Sequence, residues 1–300
     1  MRPVFRHALC MAGAAVWLVP TARAQSWRTL DASRQRQGTD SLLHVRVRYG
    51  AGEVSLGAAR PELLYDMHVR YNADRLAPAR HFDAAGHMLS IGLNNDGQRH
   101  VVRVRHELAS SHSDAGKDTA NAFTLALARE MPLDLELELG AVEAKLDLSN
   151  LWLDRLVLRS GASDVKLSFG TPNPRRLHDL EILGGAASIS VSDLGNANAA
   201  ALRVRAGAAS VDLDFSGAWA EGDMRVDLDA AFGDATLHVP EDVGVRITMQ
   251  KLLADLDGSG LNFTRRNGAY YSANWDSAPH KLTINARAAL GDLTVRRTAQ

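Results

Sequence analysis

One short segment recurs seven times in this 300-residue chain, and it constrains the fold more than any other feature. Each copy has small residues at a tight turn, then an acid or a serine, then a stretch in which apolar and polar residues alternate. The acid or serine of each copy defines a turn column, which consists of Glu53, Glu143, Asp164, Ser188, Ser210, Asp234 and Asp292. Alternation with period 2 is typical of a β-strand with one buried face. The chain is therefore predicted to be all-β.

The spacing of the turn column predicts how the strands are arranged. Successive steps are 90, 21, 24, 22, 24 and 58 residues, and a step of about 22 residues is the size of one coil of two or three short strands. A single coil cannot cover its own apolar side, so neighbouring coils must stack into a continuous core. We therefore expect a single-chain stacked β-coil, or solenoid, whose two long steps hold a further coil or an insertion. A β-sandwich of short strands is the alternative that this spacing leaves open.

The N-terminus has the pattern of a secretory signal peptide. Arg2 and Arg6 precede an apolar run over residues 8–20, and a small-x-small motif ends at Ala24, after which cleavage is expected. Cys10 is the single cysteine of the chain and lies inside that run, so the mature protein would contain no disulfide. An uncleaved membrane anchor is the alternative interpretation. The expected location is the periplasm, or the exterior of a bacterial cell.

Composition argues against several function classes. Removal of the first 24 residues leaves 31 basic and 35 acidic side chains, a net charge of −4, which favours neither nucleic acid nor an anionic membrane as a partner. No later apolar run approaches the length of a membrane-spanning helix. The sequence also contains no GxSxG nucleophile elbow and no glycine-rich phosphate loop.

Four segments can be distinguished by their patterns. Residues 1–24 are the signal peptide, 25–40 a flexible polar leader, 41–130 a less regular N-terminal β region, and 131–297 the regular β-coil repeats. In the N-terminal region we expect strands near 64–71, 87–93 and 101–108, with a hairpin turn at 94–97. Regular alternation begins at Leu133, from which leucines alternate with acids up to Gly140.

Several long segments resemble the toast-rack family. They are PLDLELELGAVEAKLDLSNLWLDRLVLRSGASDVKLSFGTPNP, GGAASISVSDLGNAN, GAASVDLDFSGAW and YYSANWDSAPHKLTINARAALGDLTV. That family looks related to the C-terminal domain of LiaF-like cell-wall-antibiotic response proteins, and the resemblance covers most of residues 41–295. It implies a stack of β coils in an exported or envelope-facing bacterial protein, and it attaches no catalytic residues. The chain differs from LiaF-like proteins in having no N-terminal membrane helices.

The turn column could bind Ca²⁺ only if its carboxylates converged. A calcium site needs six or more oxygens at one point, and Ser188 and Ser210 interrupt the charges. We therefore expect these side chains to accept hydrogen bonds from the turn backbone. His100, His106 and His112 follow at six-residue spacing, which is not a zinc pattern. No metal or other cofactor is predicted.

Three further groups of residues could form a functional surface. Paired outward acids, which could hydrolyse a glycoside if they converged, are Glu136/Glu138, Asp212/Asp214 and Asp227/Asp229. Outward arginines, which could bind an anionic glycan or lipid headgroup or pair with acids of other strands, are Arg46, Arg48, Arg70, Arg103 and Arg105. Aromatic residues within 270–275 could stack on sugars or pack inside the last coils.

The sequence favours a non-enzymatic protein with no catalytic residues. Its predicted role is that of an interaction or scaffold module in the bacterial cell envelope, with envelope stress as the more specific setting, and its partner would be an envelope protein or a glycan. The alternative function is a carbohydrate-active β-helix enzyme with acids on a coil face. Convergent carboxylates of raised pKa in a cleft would favour the enzyme, whereas solvated acids on a flat face would favour the binding module.

Overall fold

The computed structural model describes residues 26–38, 41–95, 120–220, 222–258 and 260–298. The expected signal peptide and the expected strand at 101–108 lie outside these residues, as does the second half of the turn expected at 94–97. The strands are β1 Trp27–Gln35, β2 Leu43–Ala58, β3 Leu63–Asn72, β4 Leu76–Asp83, β5 Met88–Asn95, β6 Ala122–Leu127, β7 Pro132–Asp147, β8 Trp152–Ser160, β9 Asp164–Ser168, β10 Asp179–Gly184, β11 Ser188–Ser192, β12 Ala201–Ala208, β13 Ser210–Asp214, β14 Met224–Phe232, β15 Ala235–Val239, β16 Val243–Asp257, β17 Thr264–Arg266, β18 Ala269–Tyr271 and β19 His280–Arg297. They form one open sheet, which confirms the all-β prediction.

Alternation of apolar and polar residues determines which face of each strand is buried. In β7, Leu133, Leu135 and Leu137 are fully buried, whereas Asp134 and Glu136 between them remain partly exposed. Burial of one such leucine contributes about 1.5–3 kcal/mol. The inward residues of the strands belong to one continuous hydrophobic core.

Within the described residues the strands stack as nine parallel rungs, each with a first arm before the turn column and a second arm after it. In spatial order, rungs 1 to 9 are β5 with β6, β2, β7, β8 with β9, β10 with β11, β12 with β13, β14 with β15, β19, and β16. Parallel pairing between successive rungs is the arrangement of a solenoid. It rules out the sandwich alternative, which requires mainly antiparallel strands.

The turn column is aligned from rung to rung, as the sequence predicts. From rung 2 to rung 8 its members are Glu53, Glu143, Asp164, Ser188, Ser210, Asp234 and Asp292. The Asp292 amide donates a hydrogen bond to Asp234 Oδ1 at 3.1 Å, so that carboxylate serves the neighbouring rung. Asp255 of rung 9 pairs with Asp292 and is an eighth member, which sequence analysis missed.

Glycines near the turn column allow the rungs to approach each other. A Cβ atom on Gly140 would lie 2.1 Å from the carbonyl oxygen of Gly50 on the adjacent rung, so only glycine fits there. Added Cβ atoms on Gly161, Gly185 and Gly207 would lie 2.9–3.0 Å from the carbonyl oxygen of the preceding glycine. The small residues of the repeat are therefore required by the backbone of the next coil.

The connections between rungs form a loop layer with its own ladder of buried amides. Asn173 donates from Nδ2 to the carbonyl oxygen of Leu153 at 2.8 Å, and its Oδ1 accepts from the Leu153 amide at 3.1 Å. One rung further, Asn196 donates to the carbonyl oxygen of Phe169 at 2.7 Å and accepts from the Ala218 amide at 2.7 Å. Because buried backbone groups need partners, these asparagines substitute for strand pairing in the loops.

Antiparallel strands cover both ends of the stack. At rung 1, β4 pairs with β5, β3 pairs with β6, and β1 pairs with β3. At rung 9, β18 pairs with β16, and β17 pairs with β18. The 90-residue step of the turn column thus contains rung 1, and the 58-residue step contains rung 9. Both long steps hold a further coil, as predicted.

The flexible leader expected at residues 25–40 is wrong over most of its length. Trp27–Gln35 form β1, which pairs antiparallel with β3, and the guanidinium of Arg70 lies 4.8 Å from the Trp27 ring centroid. The strand lies at the end of the sheet and has no regular alternation of buried and exposed residues, and its Leu30 and Ala32 pack against the core while only partly buried.

The N-terminal β region contains two of the expected strands and one unexpected strand. β3 and β5 lie where the strands near 64–71 and 87–93 are predicted. β4 was missed, and it forms an antiparallel hairpin with β5 through the turn at 84–87. β2 also lies in this region, yet it is a complete rung of the stack. The division of the chain at residue 130 therefore stays a prediction.

Candidate binding face

The outward side chains of the first arm form a continuous charged face built from two columns. The arginine column, on rungs 2 to 9, consists of Arg48, Glu138, Arg159, Leu183, Arg205, Asp229, Arg287 and Gln250. The mixed column, two residues earlier on the same rungs, consists of Arg46, Glu136, Val157, Glu181, Arg203, Asp227, Asn285 and Thr248.

The arginine column was not predicted from the sequence, although a signal for it exists. Each member precedes the turn-column residue of its rung by five positions, as Arg159 precedes Asp164 and Arg287 precedes Asp292. Aligning the repeats five positions before the turn column therefore identifies the members of the arginine column. The spatial order would still have been unknown, because rungs 2 and 8 do not follow the order of the chain.

The predicted N-terminal arginines pair with acids of the regular coils. Arg46 Nη2 lies 2.9 Å from Glu136 Oε2, and Arg48 Nε lies 2.7 Å from Glu138 Oε2. Cross-strand pairing, one of the two interpretations of this set, therefore describes both. Arg103 and Arg105 lie outside the described residues.

Three carboxylates on this face each lie between two arginines. Every such group carries one net positive charge, whereas the two columns together hold six arginines and five acids, a net charge of +1. Exposed ion pairs typically contribute only about 0–1 kcal/mol each, and these groups therefore matter more for surface potential than for stability. The groups are Arg46–Glu136–Arg159, Arg155–Asp179–Arg203 and Arg205–Asp229–Arg287, with N···O distances from 2.6 to 3.8 Å.

Two of the outward acids, Glu136 and Asp227, are held in their ionised form. Partial burial alone would raise the pKa of Glu136, but hydrogen bonds and charge from its two arginine partners outweigh burial and lower the pKa. Partial burial of Asp227 is likewise outweighed by hydrogen bonds from Asn285 and Arg225, so its pKa is also lowered. A glycosidase acid needs a raised pKa, which is the opposite setting.

One carboxyl group in the loop layer has a raised pKa. Burial, and then the charge of Asp214, raise the pKa of Asp193, which precedes the short 3-10 helix Leu194–Ala197. Asp214 Oδ1 accepts hydrogen bonds from the Ser216 amide at 2.9 Å and from Ser216 Oγ at 2.6 Å. These bonds fix the turn, and neither acid lines the groove described next.

A groove runs along the charged face where the first arm meets the turns. Its wider part has a volume of about 970 Å³ and its narrower part about 510 Å³, and Arg159 and Ser160 line both. We call it the arginine groove, because the arginine column from Arg48 to Gln250 forms its wall. Its floor consists of Gly50, Gly140, Ser160, Gly161, Gly184, Gly185, Ala206, Gly207, Ala230 and Ala231. Eight parallel strands, each about 4.8 Å from the next, give it a length of roughly 34 Å.

The aromatic residues predicted as a possible sugar-stacking cluster lie at the rung 9 end. The rings of Tyr271 and Trp275 meet edge to face with centroids 5.6 Å apart. The guanidinium of Arg266 lies 4.4 Å from the Tyr271 centroid, and Lys281 Nζ lies 5.9 Å from the Trp275 centroid. The rings therefore pack against cations and each other, away from the groove.

Where a histidine in the described ranges forms an ion pair, its partner is a single carboxylate. The pairs are His44–Asp134, His68–Asp31 and His238–Asp212, while His100, His106 and His112 lie outside the described residues. Across the described part of the chain, no three His, Cys, Asp or Glu side chains are grouped to hold a metal ion. The same part contains no helix that is long and apolar enough to cross a membrane.

Comparison with known families gives a match over more than half of the chain. The family model of the N-terminal domain of toast_rack (DUF2154) matches residues 24–192. Among proteins with curated descriptions, none is significantly similar to this chain.

Several solved structures align with most of this chain at low identity and with low TM-scores. A candidate cell adhesion protein from Clostridium sporogenes is 16% identical with a TM-score of 0.41, over 89% of this chain and 99% of that chain. A candidate adhesin from Bacteroides fragilis is 10% identical with a TM-score of 0.38, over 92% of this chain and 98% of that chain. Similarities of this size say nothing about function.

Proposed function

The chain belongs to the toast-rack family, and from this premise we propose that it is a non-enzymatic interaction module of the bacterial cell envelope. The signal-peptide pattern before Gln25 supports export. The partner is an envelope protein or a glycan that lies along the stack. A role during envelope stress is the more specific form of the proposal, and it rests on the resemblance to LiaF-like proteins.

The observation that carries this proposal is the arrangement of charges on the first arm. Acids there are spread along columns and ion-paired with arginines on neighbouring rungs, as Glu136 is with Arg46 and Arg159. A long face of fixed, ionised groups suits binding, because it offers many weak contacts and needs no proton transfer. Catalysis instead needs two groups of different pKa held around one reacting atom.

The carbohydrate-active enzyme has less support. Asp227 and Asp229 follow each other on one strand, and the pKa of Asp227 is lowered. Asp193 is the acid whose pKa is raised, but its neighbour Asp214 is bonded to Ser216 in a loop. Neither pair lies in a cleft and combines one carboxyl group of raised pKa with one of lowered pKa.

Fractionation and a turnover screen together test the proposal. Cells that express the full chain should contain it, cleaved after Ala24, in the periplasm or medium. The purified protein should release no reducing ends from peptidoglycan or acidic polysaccharides during prolonged incubation. If the wild type released reducing ends and a variant with its outward acids substituted did not, the non-enzymatic assignment would be refuted. Retention of the protein in the cytoplasm would refute the location.

A further inference from the structure

Arginines occupy every second rung of the arginine column. They lie on rungs 2, 4, 6 and 8, so neighbouring arginine positions are two strand spacings, or about 9.6 Å, apart. The rungs between them carry acceptors or an apolar residue. The arginines are Arg48, Arg159, Arg205 and Arg287, and the residues between and beyond them are Glu138, Leu183, Asp229 and Gln250.

The two arginines at the wide part of the groove can accept a further anion. The side chains of Arg205 and Arg287 are 55% and 67% exposed. Asp229 lies between them, with Oδ2 3.8 Å from Arg205 Nε and Oδ1 3.3 Å from Arg287 Nη1. Glu181 Oε1 lies 3.7 Å from Arg205 Nη1. Guanidinium groups bind oxyanions through two parallel hydrogen bonds. These loosely engaged groups can therefore take a carboxylate from outside.

The floor of the groove admits an extended chain close to the backbone. Its residues are glycine, alanine and serine, and the leucines beside it are Leu93, Leu139 and Leu183. Among the residues that line the groove, the aromatic ring is that of Tyr49, which is buried against Phe123 at 5.5 Å between centroids. Recognition along the groove therefore depends on charge and hydrogen bonds rather than on ring stacking.

We infer that the arginine groove binds a linear acidic polysaccharide, an inference that rests on the proposed interaction function. Carboxylates of the polymer pair with Arg159, Arg205 and Arg287. Hydroxyl groups of the polymer donate to Asp229, which lies between Arg205 and Arg287, and to Glu138, which lies next to Arg159 on the other side. Leu183 separates Arg159 from Arg205 and offers no acceptor there. Poly-glutamate fits less well, because its side chains carry no hydroxyl groups for Glu138 and Asp229.

Titration of the full mature chain with polygalacturonate tests this inference by calorimetry. The double variant R205Q/R287Q should bind roughly tenfold or more weakly, because it removes two charge-assisted contacts. The matched control R60Q/R75Q removes the same charge outside the groove and should bind like the wild type. Fully methyl-esterified polygalacturonate, which has no carboxylates, should not bind. Circular dichroism and thermal melting verify that both variants fold.

Four outcomes would overturn the inference. They are equal weakening in the two double variants, equal binding of the esterified polymer, binding of poly-glutamate as tight as that of polygalacturonate, and no polysaccharide binding by the wild type. None of these outcomes decides the proposed function, which is tested independently by fractionation and by the turnover screen. Loss of affinity in R205Q/R287Q alone, together with rejection of the ester, supports the groove.

Discussion

The middle of the stack and its two ends are built from the same rung but are assembled differently. From β7 to β15 the chain adds one rung after another, and spatial order equals sequence order. At the ends the order is broken. β2 lies between rung 1 and β7, and β19 lies between β15 and β16, although each is far in sequence from one neighbour.

This difference shows where the fold depends on distant parts of the chain. A rung in the middle can form on its predecessor after about 22 residues, with little loop entropy to overcome. Rung 2 is inserted between β6 and β7, and rung 8 between β15 and β16, although the two strands of each pair are consecutive in the chain. Rungs 2 and 8 use long, uninterrupted strands of 16 and 18 residues. Antiparallel strands then pair with both arms of rung 1 and with Arg246 and Ile247 of rung 9, which limits exposed sheet edges.

Removal of residues 280–300 should destabilise the stack more than any other change considered below. The deletion takes out β19, including buried Leu282, Ile284, Leu293 and Val295, and separates rung 9 from rung 7. Burial of four such side chains is worth about 8 kcal/mol, which is comparable to the whole stability of a typical domain. We expect no cooperative thermal transition. A chain that ends at Thr298 is the control and should melt like the full chain, and equal melting of the two truncations would contradict the insertion of β19.

Gly140→Ala should be the most damaging single substitution at the junction of rungs 2 and 3. The added Cβ would lie 2.1 Å from the Gly50 carbonyl oxygen, so the two rungs must separate. We expect a loss of about 3 kcal/mol in the free energy of unfolding, measured by urea titration. Gly50→Ala is the matched control, because its Cβ would have no atom within 4 Å. Similar losses in the two variants would show that the rungs are not this close.

Asn173→Ala tests the loop layer in the middle of the stack. Asn173 is 5% exposed and serves both the amide and the carbonyl of Leu153. Leaving those groups unsatisfied should cost about 2 kcal/mol in unfolding free energy. Asn285→Ala removes an amide that donates to Asp227 on the outward face, where water can replace it, and should cost less than about 1 kcal/mol. If the outward variant were the less stable one, the amide ladder would not be the stabilising element.

Glu136→Gln should give the smallest effect, and one that depends on pH. Because the pKa of Glu136 is lower in the folded state than its ordinary value of 4.5, its stabilisation is present above that value and is lost as the pH falls through the folded pKa. We expect a deficit of roughly 0.5–1 kcal/mol at pH 7 that closes below pH 4.5. Unfolding titrations between pH 3 and pH 7 measure it.

The control for this pH dependence is the same substitution in a chain that carries R46Q/R159Q. Without its two partners, Glu136 should lose the interactions that lower its pKa, so Glu136→Gln should then cause no deficit at pH 7. A deficit in the single variant that stays constant down to pH 3 would mean that the ion pairs at the rung 2 junction are not its cause.

The regular part of the fold could be predicted because each of its features is local. The step from Asp164 to Ser188, the alternation after it and the small residues before it together specify a rung and its register. The ends could not be predicted from the same signals. Nothing in the alternation of β2 or β19 shows that a rung will form on both sides of it, and β1 has too irregular a pattern to indicate a strand.

The charged face was predictable in part. Arg46 and Arg48 stood out as outward residues of one strand, and their pairing with Glu136 and Glu138 was one of two stated alternatives. The row formed by Arg159, Arg205 and Arg287 was missed, because its members are isolated in sequence and become neighbours only through the stacking. A groove of glycine and alanine also has no sequence signal of its own, since the same residues are needed for the turns.

The insertion of β19 affects how the protein matures. β19 follows both β15 and β16 in the chain, so the eighteen residues that fill the seam between them are synthesised after both. Until β19 is in place, the edges of β15 and β16 that pair with it stay unpaired. A chain shortened before residue 280 should therefore keep an open seam and should be cleaved by proteases faster than the full chain.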